Sequence, residues 1–325
     1  MLRGFNRLQG RTVILESKSN DMTEPTTVAK PPRMTFVAIL LTLSICLLWG
    51  GNPVAVQFAA DKLPPLLIGT IRFLLATGFM YFWCRLGGHS IAITREQFPY
   101  VFGAGLLLFS QIGLFHLGID KTSSSHGTLL INTYVFWVMV LESYLLRTAL
   151  LSRWKISGLI VAAIGVVIII YSGLGQKEQL DEPTLRGDLL IAISGFVLAL
   201  KILLTKAAMP KMASSPFIFW HDLIGMGLLA ISSLLFETWP GMEAFTWGST
   251  LSLLYQGLCV AGFCFGMQAF LLQKYSATSI SVYSFTSPLF GVILGALIRG
   301  DEISIWFGLA AALVAAGIYL VNRPD

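Results

Sequence analysis

Residues 156–174 read ISGLIVAAIGVVIIIYSGL, an uncharged run of nineteen residues. A bilayer's hydrocarbon core of roughly 30 Å needs about 20 apolar residues wound as a helix, so a run of this length reads as a membrane span. The pattern recurs along the chain. Further apolar stretches lie at about 35–58, 65–84, 98–119, 122–146, 187–209, 216–236, 250–272, 276–298 and 303–322, which makes ten in all. The composition agrees: 55% of the 325 residues are hydrophobic and 12% charged, with a mean hydropathy of +0.74. The expected fold class is an all-α integral membrane protein of ten transmembrane helices.

Residues 1–33 are the one long hydrophilic piece, rich in Ser, Thr and charge, with Pro25, Pro31 and Pro32 near its end. Such a composition cannot bury enough apolar surface to fold, so it reads as a disordered cytoplasmic tail. It lacks the basic start and apolar centre of a signal peptide. The four cysteines, Cys46, Cys84, Cys259 and Cys264, all fall inside apolar spans, with no CxxC or Cys/His spacing. They read as small core residues, and no metal or cofactor site is expected.

Charge gives the orientation. With the N-terminus inside, the tail's six basic residues set aside, the inner loops carry nine Lys and Arg against five outside. The positive-inside rule then places both termini in the cytoplasm of a multi-pass plasma-membrane protein. The net charge of +5 belongs to this loop asymmetry and indicates no nucleic-acid partner.

The chain also reads as a duplication. Ser157–Ala163 (SGLIVAA) resembles Phe307–Leu313 (FGLAAAL), and Lys121–Ser125 resembles Lys274–Ser279, each entering a Ser/Thr-rich span. This divides the chain into a first five-helix repeat at 34–174, an external linker at 175–186 and a second repeat at 187–322. Five is odd, so the second copy starts on the opposite side of the membrane. Inverted repeats of this kind build alternating-access carriers, with the substrate near the midplane between the halves.

Several short motifs follow in order over about 34–322. They are Leu48-Trp49-Gly50-Gly51-Asn52-Pro53, Pro64-Pro65 followed by Arg72, and Ser284-Phe285-Thr286-Ser287-Pro288 running on to Gly295. Gly300-Asp301-Glu302 and Gly308 come after them. In this the chain resembles the drug/metabolite transporter superfamily, EamA-like branch. The resemblance implies a ten-helix secondary carrier, usually for metabolites and often directed outward. The chain departs from that pattern in places: Asn132 stands where a helix-4 proline is expected, the glutamate that usually ends that helix is missing, with Arg147 or Ala149 near its place and Glu142 deeper, and Lys201 and the His221-Asp222 pair are unusual charges for the second half.

Charges within spans are costly, so they are functional candidates. Arg72 can fork onto a carboxylate or phosphate. Lys201 and Asp222 fall at similar depth on neighbouring antiparallel spans and are expected to form an ion pair, as a structural clamp, a substrate site or a proton switch. Asn52, Gln111, Asn132 and Gln268 lie near mid-span and are expected to line a central cavity, with Tyr283 as a further hydrogen-bonding candidate. Pro53 and Pro288 are expected to kink their helices. His221 and His116 read as rim residues, Glu142 as reaching the interface or Arg147, and the tryptophans as an interfacial belt.

The function expected is a secondary carrier for a small polar metabolite, amino-acid-like or related, moving it outward by alternating access. Its partners are the small-molecule substrate, the lipid bilayer and, as a coupling ion, protons, with the chain acting as a monomer or homodimer. An exchanger or uptake carrier for anionic or phosphorylated metabolites is the alternative, and Arg72 with Lys201 would serve it. A non-transporting membrane sensor would want an output domain. A lipid-modifying enzyme would want clustered acids or a nucleophile–base pair. No P-loop, GxSxG or HExxH sequence is present, and the reading is not an enzyme.

Overall fold

A computed structural model describes residues 32–60, 62–119, 121, 127, 130–147, 151–173, 184–299 and 305–323. Most of the expected tail, most of the expected 175–186 linker, the Thr122–Ser125 motif and Gly300-Asp301-Glu302 lie outside the described residues, as do the side chains of Pro53 and Gln57.

The described residues are all-helical. Six helices are long and apolar enough to cross a membrane: Pro65–Leu86, Phe98–Gly118, Leu185–Ala208, Ser214–Phe236, Trp247–Leu272 and Ala277–Leu294. Each falls on an expected span. Helices also occupy Phe36–Ala60 and Arg153–Gly173, and shorter apolar ones lie at Leu130–Leu146 and Phe307–Asn322. Together they make a multi-pass membrane protein. Exposed side chains on the outer faces are large and apolar, among them Phe82, Leu189, Leu234 and Tyr319, as a lipid-facing surface requires.

In chain order the elements are α1 (Phe36–Ala60), α2 (Pro65–Leu86), α3 (Phe98–Ile119) and α4 (Tyr134–Leu141), which runs into a π-turn at Glu142–Leu146. Then come α5 (Arg153–Gly173), α6 (Leu185–Ala208) and α7 (Ser214–Phe236). One long rod follows, made of α8 (Trp247–Leu254), a π-helical run (Tyr255–Phe263) and α9 (Cys264–Leu272). The next rod joins α10 (Ala277–Ser281), a 3-10 stretch (Val282–Thr286) and α11 (Ser287–Arg299), and α12 (Phe307–Asn322) closes the series. The starts are local chemistry. Pro65 enters α2 at a position whose N–H has no helical partner to lose. Thr184, Thr246 and Ser276 each accept a backbone N–H three residues on, the ordinary N-cap.

Little of the packing is between neighbours in sequence. α2 lies along α7, α3 along both α6 and α7, α4 along α6, and α5 along α12. α1 packs on α11 and on the α8–α9 rod, and the π-helical run packs on α2. Glycines allow the closest approaches. A Cβ on Gly158 would sit 2.7 Å from the Gly317 carbonyl, and one on Gly50 would sit 2.6 Å from that of Ser287. Three of the four thiols are buried and all are free, as small core residues should be.

Two carboxylates tie the helix ends together across this interleaved core. Glu142 is fully buried. Its oxygens accept the backbone N–H groups of Ala277 and Thr278 at 2.8 and 2.7 Å and the Thr278 hydroxyl at 2.6 Å. They satisfy the orphan donors at the start of α10, where the helix dipole also favours negative charge. The expectation that Glu142 reaches the interface or Arg147 is therefore corrected: Glu142 caps a helix from the other half of the chain. Lys206 completes the grip by donating to the Leu272 and Tyr275 carbonyls at the end of α9, at 2.7 and 2.6 Å. At the opposite end of the bundle, Glu237 accepts the N–H groups of Leu66 and Leu67 at 2.8 and 2.9 Å and starts α2 in the same way.

Pro288 does not kink a continuous α-helix. The rod has already changed to 3-10 geometry at Val282–Thr286, and Pro288 sits in the first turn of α11, where its missing N–H leaves no helical bond unmade. α1 continues through Pro53 as helix.

Glu142→Ala should lower the melting temperature of the purified protein, because it strands two backbone donors in a dry site. Charge-assisted bonds contribute about 1.5–3 kcal/mol each, so the loss should reach at least about 3 kcal/mol. Glu142→Gln, which keeps one acceptor, should fall between the two. An unchanged melting temperature for Glu142→Ala would show that the cap is not structural.

Candidate functional site

A cavity of about 290 Å³ lies in the middle of the bundle, lined from α1, α2, α3, α4, α6, α9 and both irregular rods. Six of the residues singled out from the sequence meet there: Asn52, Arg72, Gln111, Asn132, Lys201 and Gln268. Tyr283 and Asp222 do not line it. Tyr283 is buried in the apolar core, and Asp222 is fully buried behind the wall.

The lining mixes aromatic, aliphatic and polar side chains. Trp49, Phe73, Phe115, Tyr134 and Phe265 supply rings, and Gln256, Ser284 and Ser287 add hydrogen-bonding groups. Sequence reasoning missed this second set. Trp49, read as part of an interfacial belt, instead packs edge-on against Phe265, with centroids 6.3 Å apart. His116, read as a rim residue, lines the cavity.

Gln256 was hidden for a geometric reason. It stands in the π-helical run Tyr255–Phe263, whose wider turn rotates the following side chains off the 3.6-residue stripe by which faces are read. The run is held by packing. Tyr255 Oη donates to the Leu48 carbonyl at 2.7 Å, and a Cβ on Gly257 would meet Leu75 and the Arg72 carbonyl. Gln256 Nε2 donates to Ser252 Oγ at 2.9 Å, and that hydroxyl in turn donates to the Ala55 carbonyl. Among the lining polar pairs, the Tyr134 hydroxyl bonds Ser284, and Gln111 Nε2 reaches Ser194 at 3.5 Å.

The charged groups depart from expectation. No Lys201–Asp222 contact falls within ion-pair distance. Asp222 Oδ1 pairs with His221 Nδ1 at 2.9 Å, although successive helical residues do not normally face one another. His221 is 2% exposed, so it is no rim residue. Its ring stacks on Phe217 and meets Phe265 edge-on, with centroids 6.3 and 6.0 Å away. The Lys201 ammonium lies over the cavity side of this aromatic group, 4.5 Å from the Phe265 centroid. The Arg72 guanidinium lies 5.5 Å from the Phe73 centroid, and the Phe73 and Phe265 rings are stacked 6.2 Å apart. Two cations therefore share one aromatic pair. Cation–π contact of this kind contributes about 2 kcal/mol when desolvated, less than burying a charge costs. Both cations lie within electrostatic range of Asp222. Four polar atoms in this region are buried without a hydrogen-bond partner among the described residues: Asn52 Oδ1, Arg72 Nε and Ser287 Oγ of the lining, and Asp222 Oδ2 behind it. Unsatisfied groups are rare in a packed interior and mark places where a ligand can bond.

Among the described residues no group of three or more His, Cys, Asp or Glu could hold a metal ion.

This geometry fixes an accessibility pattern. In a cysteine-free background, Asn52→Cys and Gln268→Cys should react with a small water-soluble thiol reagent. Asp222→Cys and Tyr283→Cys should stay unlabelled until the protein is unfolded. Equal labelling at all four positions would place the cavity wall wrongly.

The family comparison follows the same layout. The model of the EamA-like transporter family matches residues 36–171 and again 185–323. A protein of Bacillus subtilis named "Uncharacterized transporter YoaV" is 24% identical over 281 residues, covering 86% of this chain and 94% of its own length. A Salmonella typhimurium protein named "Probable amino-acid metabolite efflux pump" is 26% identical over 306 residues, 86% of this chain and 93% of its own. A chain of known structure shares the fold with a TM-score of 0.75 at 16% identity, covering 88% of this chain and 98% of that one. A family model that matches most of the sequence, twice over, is decisive: this chain belongs to the EamA-like transporter family, within the drug/metabolite transporter superfamily.

Proposed function

We propose that the protein is a secondary carrier that moves a small polar metabolite across the plasma membrane by alternating access, in the export direction, with both termini cytoplasmic. One observation carries the reading. A central, part-polar cavity is lined from both segments that the family model matches, with Arg72 and Asn132 on one side and Lys201 and Gln268 on the other. A site shared between two bodies changes its access when they rock.

What supports ten spans in two inverted repeats is the contact pattern. Number the spans from α1 to α12, counting α8–α9 and α10–α11 as one each, and exchange the first five with the last five. The α3–α6 contact then becomes that of the α8–α9 rod with α1. The α3–α7 contact becomes that of the π-helical run with α2, and α4–α6 becomes α11–α1. The pairs α2–α7 and α5–α12 map onto themselves. All of these contacts are present. A twofold axis in the membrane plane produces such an exchange. The division at 34–174 and 187–322 is the one it uses.

Coupling to protons is the energy source that fits. One proton crossing 100 mV supplies about 2.3 kcal/mol, enough for roughly fiftyfold accumulation. Asp222, fully buried with Oδ2 unpartnered, is the carboxylate in range of both cavity cations. The relatives named as amino-acid metabolite efflux pumps in Salmonella typhimurium and Escherichia coli favour an exported, amino-acid-related solute. A second reading, exchange of anionic metabolites, is favoured by the paired cations Arg72 and Lys201 in the lining.

The test is flux in proteoliposomes against a pool of labelled metabolites, with and without a pH gradient. Export coupled to protons predicts gradient-driven flux of a solute, abolished by Arg72→Ala, with Asp222→Asn losing the response to the gradient. Flux that ignores the gradient but needs a solute on the far side would establish the exchanger. No flux of any solute would contradict both.

A further inference from the structure

The cavity's charge is one-sided. Among the described residues its lining holds two cations, Arg72 and Lys201, and no aspartate or glutamate; His116 and Tyr134 are the other described titratable side chains there. The nearby counter-charge is Asp222, which stands outside the lining with one oxygen committed to His221. Phe265, not Asp222, faces the cavity on that side, and it packs against the His221 ring. With Asp222 ionised, the Arg72–Lys201–Asp222 cluster carries one positive charge more than it balances. Uncompensated charge at membrane depth is costly, and an entering anion would relieve it.

The geometry narrows that anion. Arg72 Nε is buried with no partner among the described residues. Arg72 nonetheless lines the cavity, and its planar guanidinium is a fork that can grip a carboxylate through two parallel bonds. Asn52 and Ser287 also line the cavity and bring further hydrogen-bonding side chains to it. The rest of the wall is mostly apolar, with Trp49, Phe115 and Phe265 among its rings and Ile68, Ile112 and Leu198 among its aliphatic side chains. A cavity of about 290 Å³ is at the small end of ligand pockets, so one ring and its acid group are a fitting size. An ammonium group, by contrast, would meet two cations and find no carboxylate among the described lining residues.

We propose, resting on the carrier reading above for transport but departing from its amino-acid-related solute, that the transported solute is an organic acid monoanion with an aromatic or apolar body and no ammonium group, its carboxylate held by Arg72 with Lys201. In the state with Asp222 ionised and both cations charged, the excess of one positive charge matches a monoanion better than a dianionic phosphate ester, and it disfavours both the zwitterion and the free amine.

Four probes with the same ring separate these classes: phenylacetate, L-phenylalanine, phenethylamine and phenyl phosphate. They would be titrated calorimetrically against the full chain in lipid nanodiscs and then followed as labelled solutes in proteoliposomes. Phenylacetate should bind at least tenfold tighter than phenylalanine or phenyl phosphate, and phenethylamine should not bind. Arg72→Gln should weaken phenylacetate at least tenfold. Asn52→Asp, which adds a carboxylate to the lining without removing a cation, should shift preference away from phenylacetate and toward phenylalanine. Tighter binding of phenylalanine, phenethylamine or phenyl phosphate by the wild-type protein would overturn the assignment, as would no binding of any probe. Phenylacetate that binds with this selectivity but does not cross would leave the site assignment standing and remove the carrier reading. Preferred flux of the zwitterion or the amine would do the reverse.

Discussion

A charged or unpaired polar group inside a bilayer has no water to fall back on, so it must find its partner within the protein. The architecture follows from where those partners are. Glu142 supplies the acceptors for the start of α10 and Lys206 the donor for the end of α9. Glu237 does the same for the start of α2 at the other end of the bundle. For the two carboxylates the side chain and the helix end belong to different halves of the sequence; Lys206 and the end of α9 both belong to the second. In this conformation the two carboxylate caps join the halves at both ends, while glycine-mediated approaches such as Gly158 against Gly317 close the flank formed by α5 and α12.

Between the two joined ends the packing relaxes. The rod from α8 to α9 passes through a nine-residue π-helical run, and the rod from α10 to α11 through a five-residue 3-10 stretch. Both irregular segments border the cavity, through Gln256 and Ser284. Changes of helical pitch commonly mark hinges and functional sites. Here they turn polar side chains inward and leave Arg72 Nε, Asn52 Oδ1 and Ser287 Oγ without partners. The bundle satisfies its ends and leaves its middle chemically open, which is the division of labour that a carrier rocking about a central site needs.

Much of this was legible in the sequence, for physical reasons. Apolar length is a strong signal, so the long helices fall where the runs predict, and mid-span amides at Asn52, Gln111, Asn132 and Gln268 do line the cavity. What failed was inference about direction and partner. Lys201 and Asp222 were read as a pair from equal depth, but depth does not fix azimuth: Lys201 turns onto Phe265, and Asp222 onto the adjacent His221. Glu142 was read against its own helix, because a cap on a helix some 135 residues away leaves no local trace. Trp49 looked interfacial because tryptophan usually is. Gln256 was invisible because a π-helical run breaks the period by which faces are assigned.

The claim on which the rest depends is that the two halves move against each other, opening one end as the other closes. Spin-label pairs at exposed positions report this directly: Tyr144 with Lys274 beside the Glu142 cap, and Lys62 with Phe236 beside the Glu237 cap. Distances would be read by pulsed electron resonance in liposomes, with and without a transported solute. The account predicts two distances for each pair, with any condition that lengthens one pair shortening the other. A single narrow distance at both ends under every condition would contradict it.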